Sequence, residues 1–227
     1  MQRKKNEGIV AIIPARGGSK RVPHKNIKLL NGKPLIYYTI IASLKSKMIN
    51  KTIVSTDSIK ICEVADKYGT LVKLRDKKLA QDNTPTEDVM LDVAKEVPAD
   101  YYVLLQPTSP LRDEKIIDEA IKDMLKNNYD SYLSVTEVPH YYLMGGFGGN
   151  GDYKPHYDKR PRSQDMPKMY RENGALFITK RDILLKTKNR LGGKIGAIVM
   201  NELQSVDIDE EKDFKIVEEL MRNDILF

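Results

Sequence analysis

The sequence predicts an α/β fold: a Rossmann-like, mostly parallel sheet with helices on both faces. Three observations carry this. Strand-like and helix-like segments alternate along most of the chain, as in stacked strand–helix units. Several strand segments are continuous apolar runs, the mark of strands covered on both faces. The chain has 227 residues, 41% of them hydrophobic, which suffices for one main domain with a sizeable buried core.

The elements follow in order. Residues 8–13, GIVAII, read as the first buried strand, and the loop PARGGSKRVPHKN follows it. Residues 34–46 place Leu35, Ile36, Ile40 and Leu44 near helical spacing, behind a Pro34 suited to the first helical position. TIVST (52–56) is a second strand, a helix over 58–68 aligns Ile61, Val64, Ala65 and Tyr68 on one face, and TLVKL (70–74) is a short strand. Residues 86–97 are helical, with Val89, Met90, Val93 and Val97 on one face and acid in the first turn, where the helix dipole favours it. YYVLL (101–105) is another buried strand, and Pro107 and Pro110 then break regular structure. A helix over 113–126 and a strand over 131–135 follow.

The rhythm fails between 137 and 169, which contain Tyr141, Tyr142, GGFGGNG and DKRPRSQDMP. This stretch is expected to leave the sheet as a flap or subunit-contact hairpin, inserted in a single domain spanning 1–227. GALFIT (174–179) and KIGAIVM (194–200) return as strands. A last helix is expected to be capped by Asp209 and to turn Phe214, Val217 and Leu220 or Met221 inward.

Composition excludes several classes. A formal net charge of +6 suits phosphate- or carboxylate-bearing partners. The cations are mostly dispersed, and zinc-finger spacing, an aromatic–basic RNA signature and tryptophan are all missing, so no nucleic-acid partner is expected. No run approaches the roughly 20 apolar residues of a membrane span, and no signal core follows the basic start. Cys62 is the single cysteine, which forbids an internal disulfide and fits a cytoplasmic protein; it reads as a small buried hydrophobe. His24, His140 and His156 show no zinc spacing, and no G-x-S-x-G nucleophile motif occurs.

Two clusters carry chemistry. Arg16, Lys20, Arg21, Lys25 and Lys28 crowd beside Gly17, Gly18 and Ser19. Glycines let backbone N–H groups approach phosphate oxygens, and the cations supply counter-charge. The loop is neither a Walker motif nor a dinucleotide fingerprint. A solvated charged turn is the alternative, but its place directly behind a buried strand favours phosphate. QPTSPLR (106–112) also follows a strand, where ligands of such sheets gather. The second cluster is Asp207 and Asp209. Residues two apart on an extended segment face one side, and paired carboxylates suit Mg²⁺. The same pattern also fits a plain helix N-terminus, and Asp213 reads as a helix-face or outlying carboxylate.

The string IIPARGGSK-x-x-P-x-KN resembles the first motif of the CMP-sialic acid synthetase (acylneuraminate cytidylyltransferase) family, which includes the legionaminic and pseudaminic acid cytidylyltransferases. LNGKPLIYYTI, IVSTDS, Arg75 with LAQDNTPT, QPTSPLR, RENGALFI and SVDIDEEKD resemble that family's later segments, in order, over essentially the whole chain. The resemblance implies Mg²⁺-dependent transfer of CMP from CTP to the anomeric hydroxyl of a nonulosonic acid, releasing pyrophosphate. It implies Arg16, Lys20 and Asp209 as catalytic residues, with Asp207 and Asp209 holding the metal. Arg16, Ser19 and Lys20 would hold phosphates, in a nucleotide set that also contains Ala15, Gly17, Lys25 and Asn26. Arg75, Thr84 and Thr86 would recognise cytidine. Gln106 would lie beside the acceptor sugar, with Arg162 and Arg171 meeting its carboxylate and Tyr170 and Asn173 either lining that pocket or packing around the strand. A homodimer is implied, with 137–169 as its lobe and Tyr141, Tyr142 and Phe147 at the interface. Legionaminic, pseudaminic and Kdo-type acceptors stay open, as does a noncatalytic sugar-nucleotide binder.

Overall fold

The first apolar run becomes the centre of the molecule. In the computed structural model, which describes residues 8–138, 145–155, 157–162 and 165–222, it forms strand β1 (Ile9–Pro14). After it come β2 (Leu29–Leu30), β3 (Lys33–Pro34), α1 (Leu35–Lys45), β4 (Lys51–Thr56), α2 (Ile59–Lys67), β5 (Leu71–Leu74), α3 (Thr86–Glu96), β6 (Tyr101–Leu105) and α4 (Glu114–Lys126). Then follow β7 (Ser131–Val138), β8 (Gly145–Phe147), β9 (Tyr153–Pro155), β10 (Met169–Lys180), α5 (Arg181–Thr187), β11 (Ile195–Val199) and α6 (Glu211–Arg222).

Seven strands form one sheet in the order β11-β7-β10-β6-β1-β4-β5. Every neighbouring pair is parallel except those of β10, which runs antiparallel to both β6 and β7. Because strand side chains alternate, β1 feeds two cores. Ile9, Ala11 and Ile13 pack with Ile36 and Ile40 of α1, Ile61 of α2 and Ile117 and Ile121 of α4. Val10 and Ile12 pack with Met90 and Val93 of α3 and Leu184 of α5. Helices therefore cover both faces, which is why β1 and β6 read as unbroken apolar runs.

Several expectations need correction. The strand read from Gly174 starts at Met169, because its polar first half pairs with the end of β7. Its register shifts between Glu172 and Phe177, and Gly174 there takes φ +75°, a conformation glycine adopts without steric cost. Leu44 is exposed rather than part of the α1 core face. Cys62 is half-buried, with partial burial raising its thiol pKa. Asp209 does not cap α6. The carboxylate of Asp213, third residue of the helix, instead reaches back to accept the backbone N–H groups of Asp209 and Glu210, just before it, at 2.8 and 2.7 Å, as in a capping box. Asp207 and Asp209 lie on an extended segment that joins no ladder. Within 137–169, β8 and β9 form a separate two-stranded hairpin on which Phe147 stacks edge-on against Tyr153. Tyr141, Tyr142 and His140 lie outside the described residues, as does His156.

The N-terminus of α3 is tied to the loop after α5. Arg190 donates to both Glu87 oxygens, Nε to Oε1 at 2.6 Å and Nη2 to Oε2 at 3.2 Å, while its guanidinium lies over the Phe177 ring. Partial burial pushes the Glu87 carboxyl upward, but the Arg190 hydrogen bonds prevail and hold it below the usual range. A depressed carboxyl stabilises the fold above its unfolded pKa of about 4.3 and loses that contribution as pH falls through the folded value. The stability margin of wild type over Glu87→Gln is thus expected at neutral pH and to shrink below about pH 4, as read from urea midpoints across pH.

Candidate functional site

A cleft of about 580 Å³ opens at the C-terminal ends of the parallel strands. The loop after β1 contributes Arg16, Ser19, Lys20, Lys25 and Asn26. The stretch between β5 and α3 brings Arg75 and Thr84, with Thr86 at the start of α3. The loop after β6 adds Gln106, and the segment before α6 adds Asp209. Residues read from four separate stretches thus meet in one cavity.

Backbone contacts set the β1 loop. The Ala15 N–H donates to the Ser55 carbonyl and the Gly17 N–H to Asp57 Oδ1, each at 2.9 Å. Gly17 sits so close to α2 that an added β-carbon would lie 2.9 Å from the Ser58 β-carbon. Asn26, buried, donates its amide to the Arg16 carbonyl at 2.9 Å and so braces the loop from beneath.

The carboxylate segment is drawn in by an apolar anchor. Ile208 is fully buried in a cluster with Val22, Leu30, Leu35, Leu111, Phe214 and Val217. Its N–H donates to the Thr108 carbonyl at 2.8 Å, and its carbonyl accepts from Lys25 Nζ at 2.7 Å. With Ile208 turned inward, the flanking Asp207 and Asp209 turn the other way. Asp209 accepts from Arg21 Nη1 at 2.6 Å and from Lys25 Nζ at 3.3 Å. Partial burial pushes its pKa up, but Lys25 and then Arg21 outweigh this and hold it low. Asp207 is reached by solvent as a residue, yet protein crowds its carboxyl. That desolvation raises its pKa, and Asp209 and Asp213 add to the rise against the Thr108 hydroxyl and Lys25. The cationic turn and Asp209, far apart in the chain, therefore face one another directly, while Asp207 stands beside Thr108 and does not line the cleft.

Arg75 is 6% exposed, and its Nε and Nη1 have no protein partner. Burial lowers its pKa, Asp57 opposes the drop and Arg16 adds to it. Buried donors without partners are costly, so a cleft wall that keeps two of them is shaped for an acceptor-bearing ligand.

Some expected site residues stand elsewhere. Arg162 is exposed and chelates Asp165, and Tyr170 and Arg171 are exposed on the first half of β10; none of the three lines the cleft. Asn173 is buried at the β10 irregularity. Its Nδ2 donates to Thr136 Oγ1 and Ser205 Oγ, and its Oδ1 accepts from Ser134 Oγ and the Ala175 N–H. With those groups engaged, Asn173 organises the strand end instead of presenting a free amide.

Three residues were not singled out in the sequence. Asp82 pairs with Arg16, at 2.8 Å, and with Lys20. Thr108 bonds both Ile208 and Asp207. Arg112 is 1% exposed, and its Nη1 donates to the Ala175 carbonyl at 2.7 Å and the Gln106 carbonyl at 3.4 Å. Burial pulls its guanidinium down to about 9. Each lies inside a motif already noted, but a lone acid, hydroxyl or arginine carries no spacing signal of its own.

A cationic cleft at the strand ends of a doubly covered α/β sheet, facing the Asp209 carboxylate, defines a protein built to hold a polyanion. The cytidylyltransferase family model matches residues 10–224, and this chain belongs to that family. It is 37% identical to the N-acylneuraminate cytidylyltransferase of Escherichia coli over 215 residues, covering 92% of this chain and 51% of that protein. It is 34% identical to the CMP-N,N'-diacetyllegionaminic acid synthase of Legionella pneumophila over 226 residues, covering 94% and 96% of the two chains. This chain thus spans about half the length of the E. coli relative and nearly all of the Legionella one. A solved CMP:2-keto-3-deoxy-manno-octonic acid synthetase, complexed with CTP, superposes with a TM-score of 0.75 at 17% identity, covering 96% of this chain and 99% of that one. That last likeness speaks to the fold.

Two outcomes follow from the geometry. Gly17→Ala forces a shift between the β1 loop and α2, and CTP affinity in calorimetric titration is expected to fall on the order of tenfold. Asn173→Ala removes the four hydrogen bonds that join Ser134, Thr136, Ser205 and the Ala175 N–H, and the unfolding free energy from denaturant titration is expected to drop by about 1–3 kcal/mol.

Proposed function

We propose that this chain transfers CMP from CTP to the anomeric hydroxyl of a nonulosonic, sialic acid-type sugar, releasing pyrophosphate with Mg²⁺ as cofactor. The observation that supports it best is the meeting of the cationic turn with Asp209, 2.6 Å from Arg21 and 3.3 Å from Lys25, in one cleft. The cleft volume falls in the range of small-ligand and cofactor sites. The names of the E. coli and Legionella relatives point to an acidic nine-carbon acceptor.

In this reading Arg16, Ser19 and Lys20 bind phosphate oxygens, and Lys25 and Asn26 fix the loop that carries them. Arg75 offers its free donors to the nucleotide beside the hydroxyls of Thr84 and Thr86. Gln106 stands at the acceptor end. The sugar oxygen attacks the α-phosphorus as the bond to the β-phosphate breaks and pyrophosphate departs. Fixed cations aimed at the oxygens where charge accumulates lower that barrier.

Asp207 and Asp209 fit a magnesium ion. No group of three or more His, Cys, Asp or Glu side chains gathers at metal-binding distance among the described residues. Mg²⁺ needs fewer, since it keeps waters and takes substrate phosphates as further ligands. Two crowded carboxylates, one with its pKa raised in part by the other, are the donor set a divalent cation relieves. When bound, Mg²⁺ would offset charge on the phosphates and the leaving pyrophosphate.

The acceptor side supports a homodimer as part of the same reading. Arg162, Tyr170 and Arg171 stand outside this chain's cleft, while the β8–β9 hairpin leaves Phe147 78% exposed. Segment 137–169 is proposed as the lobe that meets a second copy, since exposed aromatics are enriched at such contacts. No helix among the described residues is long and apolar enough to cross a membrane, and the cytoplasm is the proposed location.

The test is a pyrophosphate-release assay with CTP, Mg²⁺ and a panel of nonulosonic acids. Release that depends on one of these acceptors is expected, and CTP binding without acceptor-dependent release would refute the transferase reading. Asp209→Ala is expected to lower turnover by about 100-fold or more. Near-normal turnover of that variant at saturating Mg²⁺ would remove Asp209 from the site.

A further inference from the structure

We infer that Asp82 is an internal stand-in for phosphate: its carboxylate occupies Arg16 and Lys20 in the empty cleft, yields them to the nucleotide, and reclaims them as pyrophosphate leaves. This rests on the phosphate-binding reading above and adds a residue that sets how weakly the cleft holds its product.

Asp82 uses one oxygen for each cation. Arg16 Nη1 donates to Oδ1 at 2.8 Å, and Lys20 Nζ meets Oδ2. All three residues line the cavity, with the cations on the β1 loop and the acid on the opposite wall. The carboxylate therefore sits where a phosphate bound by both cations would place its own oxygens. Its pKa is depressed, chiefly by the hydrogen bond from Lys20, so it stays charged and competes over the whole neutral range.

The pairing is also easily exchanged. The Asp82 side chain is 47% exposed and that of Lys20 is 78% exposed, and ion pairs so open to water contribute little. A polyphosphate, with more charge and more oxygens, displaces such a carboxylate, whereas a permanently bound counter-ion would be buried. Nor does the turn depend on this carboxylate. The Gln81 N–H donates to Thr84 Oγ1, the Thr84 N–H to the Gln81 carbonyl, and Thr84 Oγ1 to the Lys78 carbonyl, which close the loop without Asp82. The other cleft carboxylate with two cations, Asp209, would also hold the metal in the reading above, whereas among the described residues the Asp82 side chain pairs with Arg16 and Lys20 and accepts no backbone N–H.

The test is calorimetric titration of inorganic pyrophosphate into wild type, Asp82→Asn, Lys20→Ala and the double variant at low salt. The thermal midpoint of each is measured alongside. Asp82→Asn is expected to bind pyrophosphate about three- to tenfold more tightly with an unchanged midpoint. The gain is expected to shrink in the Lys20→Ala background, because the two residues are coupled. In turnover, Asp82→Asn is expected to show stronger product inhibition by pyrophosphate. Unchanged or weaker pyrophosphate binding with an unchanged midpoint would overturn the inference. So would a gain of full size in the Lys20→Ala background, which would mark a general charge effect. If wild type bound no pyrophosphate, or Lys20→Ala bound it as well as wild type, the phosphate site itself would fall, and this inference with it.

Discussion

The site depends on how Ile208 is held. Its side chain is fully buried, its N–H is fixed by the Thr108 carbonyl and its carbonyl by Lys25. One residue thereby joins three parts of the chain: the loop after β6, the loop after β1 and the segment entering α6. Because successive side chains of an extended segment point opposite ways, burying Ile208 obliges Asp207 and Asp209 to face outward. Asp209 reaches the cleft because the apolar residue before it must leave water, and Lys25 then serves both the backbone and Asp209.

Charge in the cleft follows from that arrangement. The β1 loop would repel itself if its cations stood alone, but carboxylates from two other segments share them. Asp209 takes Arg21 and Lys25, and Asp82 takes Arg16 and Lys20. Lys28 completes the seam by pairing with Glu211 while lying over the Phe214 ring, so a charge and an apolar contact hold the same helix. Arg75 is the exception, buried with donors that no protein group meets. Exposed pairs such as Asp82 with Lys20 cost little to exchange, and buried open donors such as those of Arg75 cost much to leave unmet.

The β10 side of the cleft rests on a different device. β10 runs against its two neighbours, and its register shift between Glu172 and Phe177 takes the residues between them out of the ladder with β7. Asn173 answers with an amide shared among Ser134, Thr136, Ser205 and the Ala175 N–H, and Arg112 ties the Ala175 carbonyl to that of Gln106. The Asn173 amide is fully engaged, which rigidifies this corner, whereas Arg112 keeps Nε and Nη2 buried without a partner. The network fixes the loop after β6, and with it Gln106 and Thr108, against the strand that leads out to the 137–169 segment.

The amino-acid sequence alone determined the α/β class, the buried strands β1 and β6, and the presence of a basic glycine turn and of a late Asp-x-Asp. Each rests on a local periodicity or on adjacent residues, and such signals survive without coordinates. It also carried the family resemblance, because the motifs stand in order along the chain. Only the tertiary structure decided what those residues touch. That Asn173 is consumed in a buried network, that β10 begins at Met169, and that Asp82 pairs with Arg16 and Lys20 all depend on contacts between segments far apart in the chain. The same residue types in the same order are compatible with other partners. Which partner an acid or amide finds is settled by burial and packing, and these exist only once the chain has closed on itself.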